Sequence, residues 1–265
     1  MRNSTKKPKW AIEKDRRRQA GDDHVWLFGL HAVRDALTNP ARKRHRLIVT
    51  PNATQRLAEA IEAASITPEI ADPRKFPAPL DPQSVHQGAA MEVNPLDWGS
   101  VETLCKPYPS DPLPIVVALD RVTDPHNVGA ILRSAEVFGA RAVIAPRHHA
   151  APETGALAKS ASGALERQAY VKVRNLADTL EALTTHGYHL IGLDGTGEME
   201  ISDALGEASN SPVCLVLGAE GPGLRERTRQ VCNALARINP AGDFGSLNVS
   251  NAAAVALYAA KKRFV

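Results

Sequence analysis

Short apolar runs separated by longer amphipathic segments recur through the second half of this chain. The runs lack polar alternation, which is typical of strands buried on both faces; they fall at 115–119, 142–145, 169–173, 188–193 and 212–217. Apolar residues every three or four positions between them predict helices, notably at 128–138, 176–186 and 248–262. Strands that alternate with helices predict an α/β fold with a parallel sheet covered on both faces.

The first half carries a shorter pattern of the same kind. Strands are expected at 25–28, 46–50 and 84–93, a short extended piece at 69–70, and helices at 29–37 and 53–64. This pattern predicts a small α/β domain over residues 23–94. Five prolines fall within residues 95–114, so we interpret that stretch as a semi-rigid linker with one helical turn near 101–105. The second domain then spans 115–265.

Charge is concentrated at the N-terminus. The chain has 265 residues and a net charge of +3, but residues 1–20 alone carry +6 and the remainder −3. Residues 1–22 are polar and aperiodic, which predicts a disordered basic tail. That tail and a second basic cluster at 42–46 suit a polyanion such as nucleic acid, although a solvated, solubilising tail has the same composition.

The remaining composition predicts a cytoplasmic protein. No apolar run has the length of a membrane span, and the N-terminus lacks the apolar core of a signal peptide. The three cysteines are widely spaced, which predicts neither a disulfide framework nor a metal site and fits a reducing compartment. His148 and His149 have no acidic or thiol neighbours at ligand spacing, so no metal is expected.

A glycine-rich loop at 217–224 follows the strand predicted at 212–217. Three glycines within six residues allow a positive φ and close approach of the backbone to a ligand, and Glu220 is the only charge among them. Ligands of open α/β sheets bind at the carboxyl ends of the strands. This loop is therefore a candidate binding site; the alternative is a tight strand-to-helix turn with an exposed glutamate.

Two further loops follow strands of the same predicted sheet. Asn127 is expected to cap the helix at 128–138, and Arg133 lies about two turns into that helix, where its guanidinium could bind a phosphate or simply face solvent. The third loop, 239–251, is rich in glycine and ends in polar residues that can cap the last helix. That helix has an alanine-rich face, which permits close packing against another helix or a partner subunit.

Several common sites are absent from the sequence. There is no phosphate-binding glycine-lysine loop, no dinucleotide glycine fingerprint and no nucleophile elbow. The residues alone therefore predict an α/β domain with a ligand site built from three loops, joined to a small domain and acting near nucleic acid.

At these three loops the chain resembles the SpoU (TrmH) family of RNA ribose 2'-O-methyltransferases, within the SPOUT superfamily. The similar segments are 127–135, 217–224 and 238–250, and the resemblance covers 115–262. Segments 29–33, 85–88 and 122–127 are also similar to the branch typified by RlmB, which methylates a guanosine ribose of 23S ribosomal RNA. The chain departs from that branch in its basic tail and at 239–240 and 243–244.

The resemblance implies a C-terminal trefoil-knotted methyltransferase domain, a small N-terminal RNA substrate-binding domain, a homodimer and the cofactor S-adenosyl-L-methionine. By position, the implied cofactor-binding residues are Gly218, Ile238, Leu247, Leu217 and Asn248. The implied catalytic residues are Arg133, Asn127, Glu220 and Ser250. We expect Arg133 to bind a phosphate and stabilise the developing alkoxide, and Glu220 to position Asn127, Arg133 or backbone donors.

Two alternative functions stay open on the sequence. One is 2'-O-methylation of a transfer RNA, which the same residues would support. The other is an RNA-binding or ribosome-assembly factor that has the fold but no catalytic activity.

Overall fold

The computed structural model describes residues 24–81, 84–242 and 247–263. The predicted disordered tail, 1–22, and residues 243–246 of the third loop lie outside this part of the chain. Two compact units are present: one contains the residues up to Leu96 together with Glu153–Lys159, and the other contains Asp97–Pro152 and the residues from Ser160 onward. The domain boundaries expected from the sequence stay a prediction.

The first unit contains a four-stranded sheet of order β1-β4-β2-β3. Its strands are β1 (Val25–Phe28), β2 (Arg44–Val49), β3 (Glu69–Ile70) and β4 (Ala89–Val93), and its helices are α1 (Leu30–Thr38), α2 (Pro51–Arg56) and α3 (Ala58–Ala64). Strand β4 pairs antiparallel with both of its neighbours. Leu27, Val33, Ile48 and Met91 are fully buried and form part of the core.

Two predicted elements of this unit are shorter than expected. The helix predicted at 53–64 is interrupted at Leu57, whose backbone leaves the helical region at φ −110° and ψ 7°. The strand predicted from residue 84 begins only at Ala89. Gln87 and Gly88 both have a positive φ, of 52° and 77°, and this turn prevents an extended backbone before β4.

The basic cluster at 42–46 is largely occupied by contacts inside the first unit. Arg42 is only 2% exposed and donates to the Asn94 carbonyl oxygen at 2.7 Å. Arg44 donates to the Leu37 carbonyl oxygen, and Arg46 forms a two-pronged contact with the Glu69 carboxylate at 2.9 Å. These three arginines therefore already have partners within the first unit, and polyanion binding by the cluster stays a prediction.

The second unit contains a seven-stranded sheet of order β7-β6-β5-β10-β8-β11-β9, and every pair is parallel. Its strands are β5 (Ile115–Asp120), β6 (Ala142–Pro146), β7 (Tyr170–Val173), β8 (His189–Leu193), β9 (Met199–Glu200), β10 (Val213–Gly218) and β11 (Ala234–Arg237). The remaining α-helices of the described chain are α4 (Val101–Leu104), α5 (Pro125–Phe138), α6 (Gly155–Ala161), α7 (Leu176–Thr185), α8 (Ile201–Glu207), α9 (Glu226–Val231) and α10 (Val249–Lys262). The predicted parallel α/β sheet is confirmed.

Strand β10 lies at the centre of the sheet, between β5 and β8. Its residues Val213 to Leu217 are at most 1% exposed, as the unbroken apolar run predicts. Leu217 pairs with Leu119, and Gly218 pairs with Asp120 at the carboxyl end of β5. Because all seven strands are parallel, the loops that follow them leave from the same edge of the sheet. The trefoil knot implied by the resemblance stays a prediction.

The cysteines of this unit are structural. Cys105 and Cys214 are fully buried in the core. Burial raises the pKa of Cys105 and of Cys232 to about 12, and it raises the pKa of Cys214 well above its ordinary value. These thiols therefore stay protonated near neutral pH and are poor nucleophiles.

Strand β9 and helix α8 were not predicted from the sequence. Ile201, Ala204 and Leu205 of α8 are buried, and their spacing is a helical signal that was available in the sequence. Across the described residues, no helix combines the length and apolar character needed to cross a membrane.

Candidate functional site at the carboxyl edge of the parallel sheet

Helix α5 begins two residues earlier than Asn127. Asp124 is the N-cap, its carboxylate accepts from the His126 backbone N–H at 3.1 Å, and Pro125 occupies the first turn. The prediction that Asn127 caps this helix is therefore wrong. Because Asp124 satisfies the helix end, the Asn127 amide group is available for another contact, and it donates from Nδ2 to Glu220 Oε1 at 3.1 Å.

The glycine loop 217–224 turns back over the end of β10. Gly221 and Gly223 have positive φ values of 84° and 66°, and the Gly223 N–H donates to the Ala219 carbonyl oxygen at 2.9 Å. A Cβ on Gly218 would lie 2.2 Å from the Gly223 carbonyl carbon, so only glycine fits there. The predicted positive φ is confirmed at Gly221 and Gly223. The close approach at Gly218 is to the loop's own backbone, and the predicted approach to a ligand stays a prediction.

Helix α10 is capped by Asn248, as its polar start predicts. Asn248 Oδ1 accepts from the Ser250 backbone N–H at 2.8 Å and from Ser250 Oγ at 2.6 Å. The amide nitrogen of Asn248 donates to Glu220 Oε1 at 2.6 Å and lies 3.0 Å from Asn127 Oδ1. The Val249 N–H also points to Glu220 Oε1, at 3.4 Å.

One carboxylate oxygen therefore joins all three predicted loops. Glu220 Oε1 accepts from Asn127 of the first loop and from Asn248 and Val249 at the start of the last helix. Hydrogen bonds to an ionised acceptor are roughly twice as strong as neutral ones. We call Asn127, Glu220, Asn248 and Ser250 the three-loop cluster. It brings together four of the predicted site residues.

Arg133 is not part of the three-loop cluster. It lies six positions beyond Asn127 on α5, which places it about two-thirds of a turn away around the helix. It is exposed and has no hydrogen-bond or ion-pair partner in the described part of the chain. Glu220 bonds Asn127 and the start of the last helix instead of Arg133, so the Arg133 guanidinium is available to an external anion.

The remaining predicted residues lie at the ends of β10 and β11 and before α10. Leu217 is 1% exposed, so its side chain belongs to the core and only its backbone can face a ligand. Ile238 follows β11 and is half-buried, whereas Leu247 is 47% exposed. Two partly exposed apolar side chains at an otherwise polar edge are suited to contact an apolar part of a ligand.

An ion pair between a buried carboxylate and a partly exposed arginine supports the glycine loop, and sequence reasoning did not identify it. Asp120, at the end of β5, is fully buried and accepts from the Arg225 backbone N–H at 2.9 Å and from Arg225 Nε at 2.7 Å. Arg225 directly follows the glycine loop, so this pair fixes the end of the loop to the neighbouring strand. An acidic residue at the end of an apolar run was the available signal.

No group of three or more histidine, cysteine, aspartate or glutamate side chains that could hold a metal occurs among residues 24–81, 84–242 and 247–263. The three-loop cluster itself contains two amides, one carboxylate and one hydroxyl.

Comparison with known proteins matches both halves of the chain. Residues 114–258 match the SpoU rRNA Methylase family, and residues 26–98 match a domain described as RNA 2'-O ribose methyltransferase substrate binding. The chain is 37% identical over 245 residues to the 23S rRNA (guanosine-2'-O-)-methyltransferase RlmB of Pseudomonas syringae pv. tomato, covering 89% of this chain and 95% of that protein. It is 37% identical over 242 residues to the protein of the same name from Ralstonia nicotianae, with 89% and 95% covered.

Solved structures share the fold at lower identity. The SpoU methyltransferase AviRb from Streptomyces viridochromogenes, in complex with AdoMet, superposes with a TM-score of 0.78 at 22% identity and covers 96% of each chain. An AdoMet-bound rRNA methyltransferase from Sinorhizobium meliloti gives a TM-score of 0.75 at 22% identity, with 95% of this chain and 91% of that chain covered. The family match spans more than half of the chain and includes all three loops of the site, so this chain belongs to the SpoU rRNA methylase family.

Proposed function

We propose that this protein transfers a methyl group from S-adenosyl-L-methionine to a ribose 2'-hydroxyl of RNA, and that the acceptor is a guanosine of 23S ribosomal RNA. The observation that carries the proposal is the three-loop cluster, in which Glu220 Oε1 joins all three segments of family resemblance. Relatives 37% identical to this chain bear the name of that activity.

The residues at this edge fit the cofactor. Gly218 and Leu217 offer backbone groups where β10 ends, and Ile238 and Leu247 offer apolar surface for an adenine ring. Asn248 is held beside them by Glu220. When bound, S-adenosyl-L-methionine supplies a methyl group already activated by its sulfonium, and the chain's own residues have to orient the acceptor hydroxyl.

Arg133 is the residue that we assign to the acceptor. Its guanidinium is unpaired in the described chain, and its planar fork suits a phosphate next to the target ribose. A guanidinium presents N–H donors and no acceptor, so we do not assign Arg133 the role of base. We assign it to binding the phosphate and stabilising the developing alkoxide, while the phosphate or a water accepts the proton.

Asn127 and Ser250 are assigned to the RNA side of the same site. Both are held in the three-loop cluster, Asn127 by Glu220 and Ser250 by Asn248. The Ser250 hydroxyl donates to Asn248 and retains acceptor capacity for a ribose or water. These bonds fix the two side chains before the substrate arrives, which lowers the entropy cost of orienting the acceptor.

Replacement of Arg133 tests this assignment. Arg133→Ala should lower kcat by roughly 100-fold or more, by analogy with the loss of a transition-state donor, and leave cofactor affinity unchanged. Arg133→Lys should recover little of that loss because lysine lacks the planar fork. A lysine variant with nearly the full kcat would contradict the role given to the fork.

The substrate is tested by methyl transfer from labelled cofactor to purified ribosomal RNA and to transfer RNA. Label in 23S ribosomal RNA at a guanosine 2'-oxygen is the expected result. Label confined to transfer RNA would instead support the second substrate. Failure of the protein to bind the cofactor in calorimetry would support a non-catalytic RNA-binding factor.

We also propose that the protein is a homodimer in which α5 and α10 face a second copy. Phe138 of α5 and Tyr258 of α10 contact edge to face, with ring centroids 6.0 Å apart. Around them, Val137, Val255 and Tyr258 are 70%, 42% and 51% exposed. Val137 lies one turn beyond Arg133, so a second copy would cover apolar surface beside the catalytic arginine.

Sedimentation equilibrium of Val137→Glu should show a shift from dimer towards monomer, and an unchanged dimer would contradict this interface.

The basic N-terminal residues and the first unit are proposed to supply RNA affinity, in a cytoplasmic setting that suits the free cysteines. Removing residues 1–22 should weaken RNA binding and reduce its dependence on salt. Unchanged affinity and salt dependence would mean that this segment has no part in binding.

A further inference from the structure

A cavity lies at the carboxyl ends of β6 and β7, on the same edge of the sheet as the three-loop cluster. Its volume is about 450 Å³. Pro146, the last residue of β6, and Arg174, which directly follows β7, both line it. The side chains that matter for its chemistry are His148, His149, Arg174, Arg225, Arg227 and Thr228.

The cavity is cationic. Three arginines and two histidines line it, and no acidic side chain is among its lining residues. Arg225 is held by the buried Asp120, and Arg227 is held by Asp178 and Glu181 on α7. These carboxylates do not line the cavity; they pair with two of its guanidinium groups and offset part of the positive charge.

Arg174 adds a positive charge that no carboxylate among the described residues pairs with. It is exposed and has no hydrogen-bond or ion-pair partner within the described residues. A guanidinium that is free, beside two that are anchored, presents several N–H donors to one space. Such a set matches the oxygens of a phosphate group.

Thr228 gives an independent indication of a missing partner. The residue is 1% exposed and lines the cavity, and in the described part of the structure its Oγ1 is buried without a hydrogen-bond partner. Buried hydroxyls are almost always satisfied.

The position of the cavity favours RNA as the source of that anion. Arg225 directly follows the glycine loop 217–224, and β6 lies next to β5, which leads into the first loop of the cluster. A strand of RNA with its target ribose at the three-loop cluster can therefore continue along the same sheet edge. A free phosphate or nucleotide has the same chemistry and is separated by experiment below.

We propose that this cavity binds a backbone phosphate of the substrate RNA, outside the nucleotide that is methylated. The proposal rests on the proposed function for the identity of the polyanion. Because the contact is to phosphate, it contributes affinity and fixes the position of the strand without reading the base sequence.

The test compares two full-length variants that each remove one positive charge. Arg174→Ala removes the free arginine, and Lys106→Ala is the control. Lys106 is exposed and lies before β5, at the opposite edge of the sheet, where its backbone oxygen accepts a hydrogen bond from Arg141. Binding of a fluorescein-labelled single-stranded fragment of ribosomal RNA is measured across a salt series. Arg174→Ala should weaken binding roughly three- to tenfold and reduce the logarithmic salt slope by about 0.7, and Arg174→Glu should weaken it further.

Steady-state kinetics and cofactor binding complete the test. Arg174→Ala should raise KM for RNA while leaving kcat at saturating RNA and cofactor affinity unchanged, which also shows that the variant is folded. An RNA affinity and salt slope equal to those of Lys106→Ala would overturn the proposal. A second result would also overturn it: inorganic phosphate binds to the wild-type protein and not to Arg174→Ala, while RNA binds equally to both. The cavity would then be a site for free phosphate and not for RNA.

The outcome is separable from that of the proposed function. RNA binding needs no methyl transfer, so a wild-type protein that binds RNA through Arg174 but methylates none would contradict the activity and support the cavity. If the wild-type protein methylates 23S ribosomal RNA and Arg174→Ala does so with the same KM, the activity is supported and the cavity proposal is contradicted.

Discussion

The two units of this chain use their polar side chains in different ways. At the carboxyl edge of the seven-stranded sheet, Glu220 links Asn127 and Asn248 across loops far apart in sequence. Arg133 has no partner among the residues that the structure describes. In the four-stranded unit, the arginines of the basic cluster at 42–46 instead form hydrogen bonds within the unit, such as those of Arg46 to Glu69. The comparison shows that the chemistry available to a charge depends on which hydrogen bonds the fold has already satisfied.

The ion pair of Arg225 with the buried Asp120 carboxylate should give the largest effect on stability. Arg225→Ala leaves the fully buried Asp120 carboxylate with only one of its two donors, and we expect a loss of about 3 kcal/mol in the free energy of unfolding. Urea titration measures it. The matched variant Arg227→Ala breaks an exposed contact with Asp178 and should cost about 1 kcal/mol or less. Equal losses of unfolding free energy in the two variants would show that the Asp120–Arg225 pair contributes no more than an ordinary surface ion pair.

The close approach at the start of the glycine loop should give the next largest effect, on binding. Gly218→Ala places a methyl group 2.2 Å from the Gly223 backbone, so the loop must move. A rearrangement that costs roughly 2 kcal/mol corresponds to a cofactor Kd raised about 30-fold. Calorimetry tests this against Gly195→Ala, where an added Cβ meets nothing within 4 Å. Normal cofactor binding by Gly218→Ala would contradict the geometry assigned to the loop.

The small unit should respond weakly to loss of a charge from its basic cluster. Arg46 and Glu69 are 46% and 49% exposed, and hydrogen bonding to Arg46 lowers the pKa of Glu69. Arg46→Ala should therefore cost about 0.5 kcal/mol in stability and change RNA affinity by less than Arg174→Ala does. Urea titration and the salt series used for Arg174 measure both quantities. A larger effect on RNA affinity would show that the cluster contacts RNA despite its internal bonds.

The smallest effect expected is a dependence of stability on pH at the amino end of β8. Burial lowers the pKa of His189, and its Nε2 is buried without a partner among the described residues. The unfolded chain therefore binds this proton more readily, and stability should fall as the pH drops through about 6.5, the ordinary histidine value. His189→Phe should flatten the change in Tm between pH 7.5 and 5.5 without altering cofactor affinity. An unchanged slope would contradict the contribution of this histidine.

Much of the large sheet could be predicted from the sequence because its strands are unbroken apolar runs. The glycines of the loop 217–224 were equally clear, since positive φ and close approach have few other solutions. Local competition was harder to judge. Asn127 was a reasonable helix cap, but Asp124 followed by Pro125 is a better one, and the difference decides whether the Asn127 amide is free to reach Glu220.

Long-range partners could not be read from local sequence. Nothing near residue 46 shows that Glu69 will lie beside it, and nothing near residue 120 shows that Arg225 will return to it. The family resemblance identified the residues of the three-loop cluster, whereas the bonds between them depend on the strand order that places β10 next to β5. The position of Arg133, on a different face of α5 from Asn127, also follows from helix geometry and not from motif spacing.

The central claim is that the Glu220 carboxylate holds the three loops in their active arrangement. The most direct test is Glu220→Gln, which keeps the size of the side chain and removes the charge that strengthens its three hydrogen bonds. We expect cofactor Kd to rise roughly tenfold and turnover of ribosomal RNA to fall at least as much, while Glu226→Gln on exposed α9 leaves both unchanged. Wild-type cofactor affinity together with wild-type turnover in Glu220→Gln would contradict the claim.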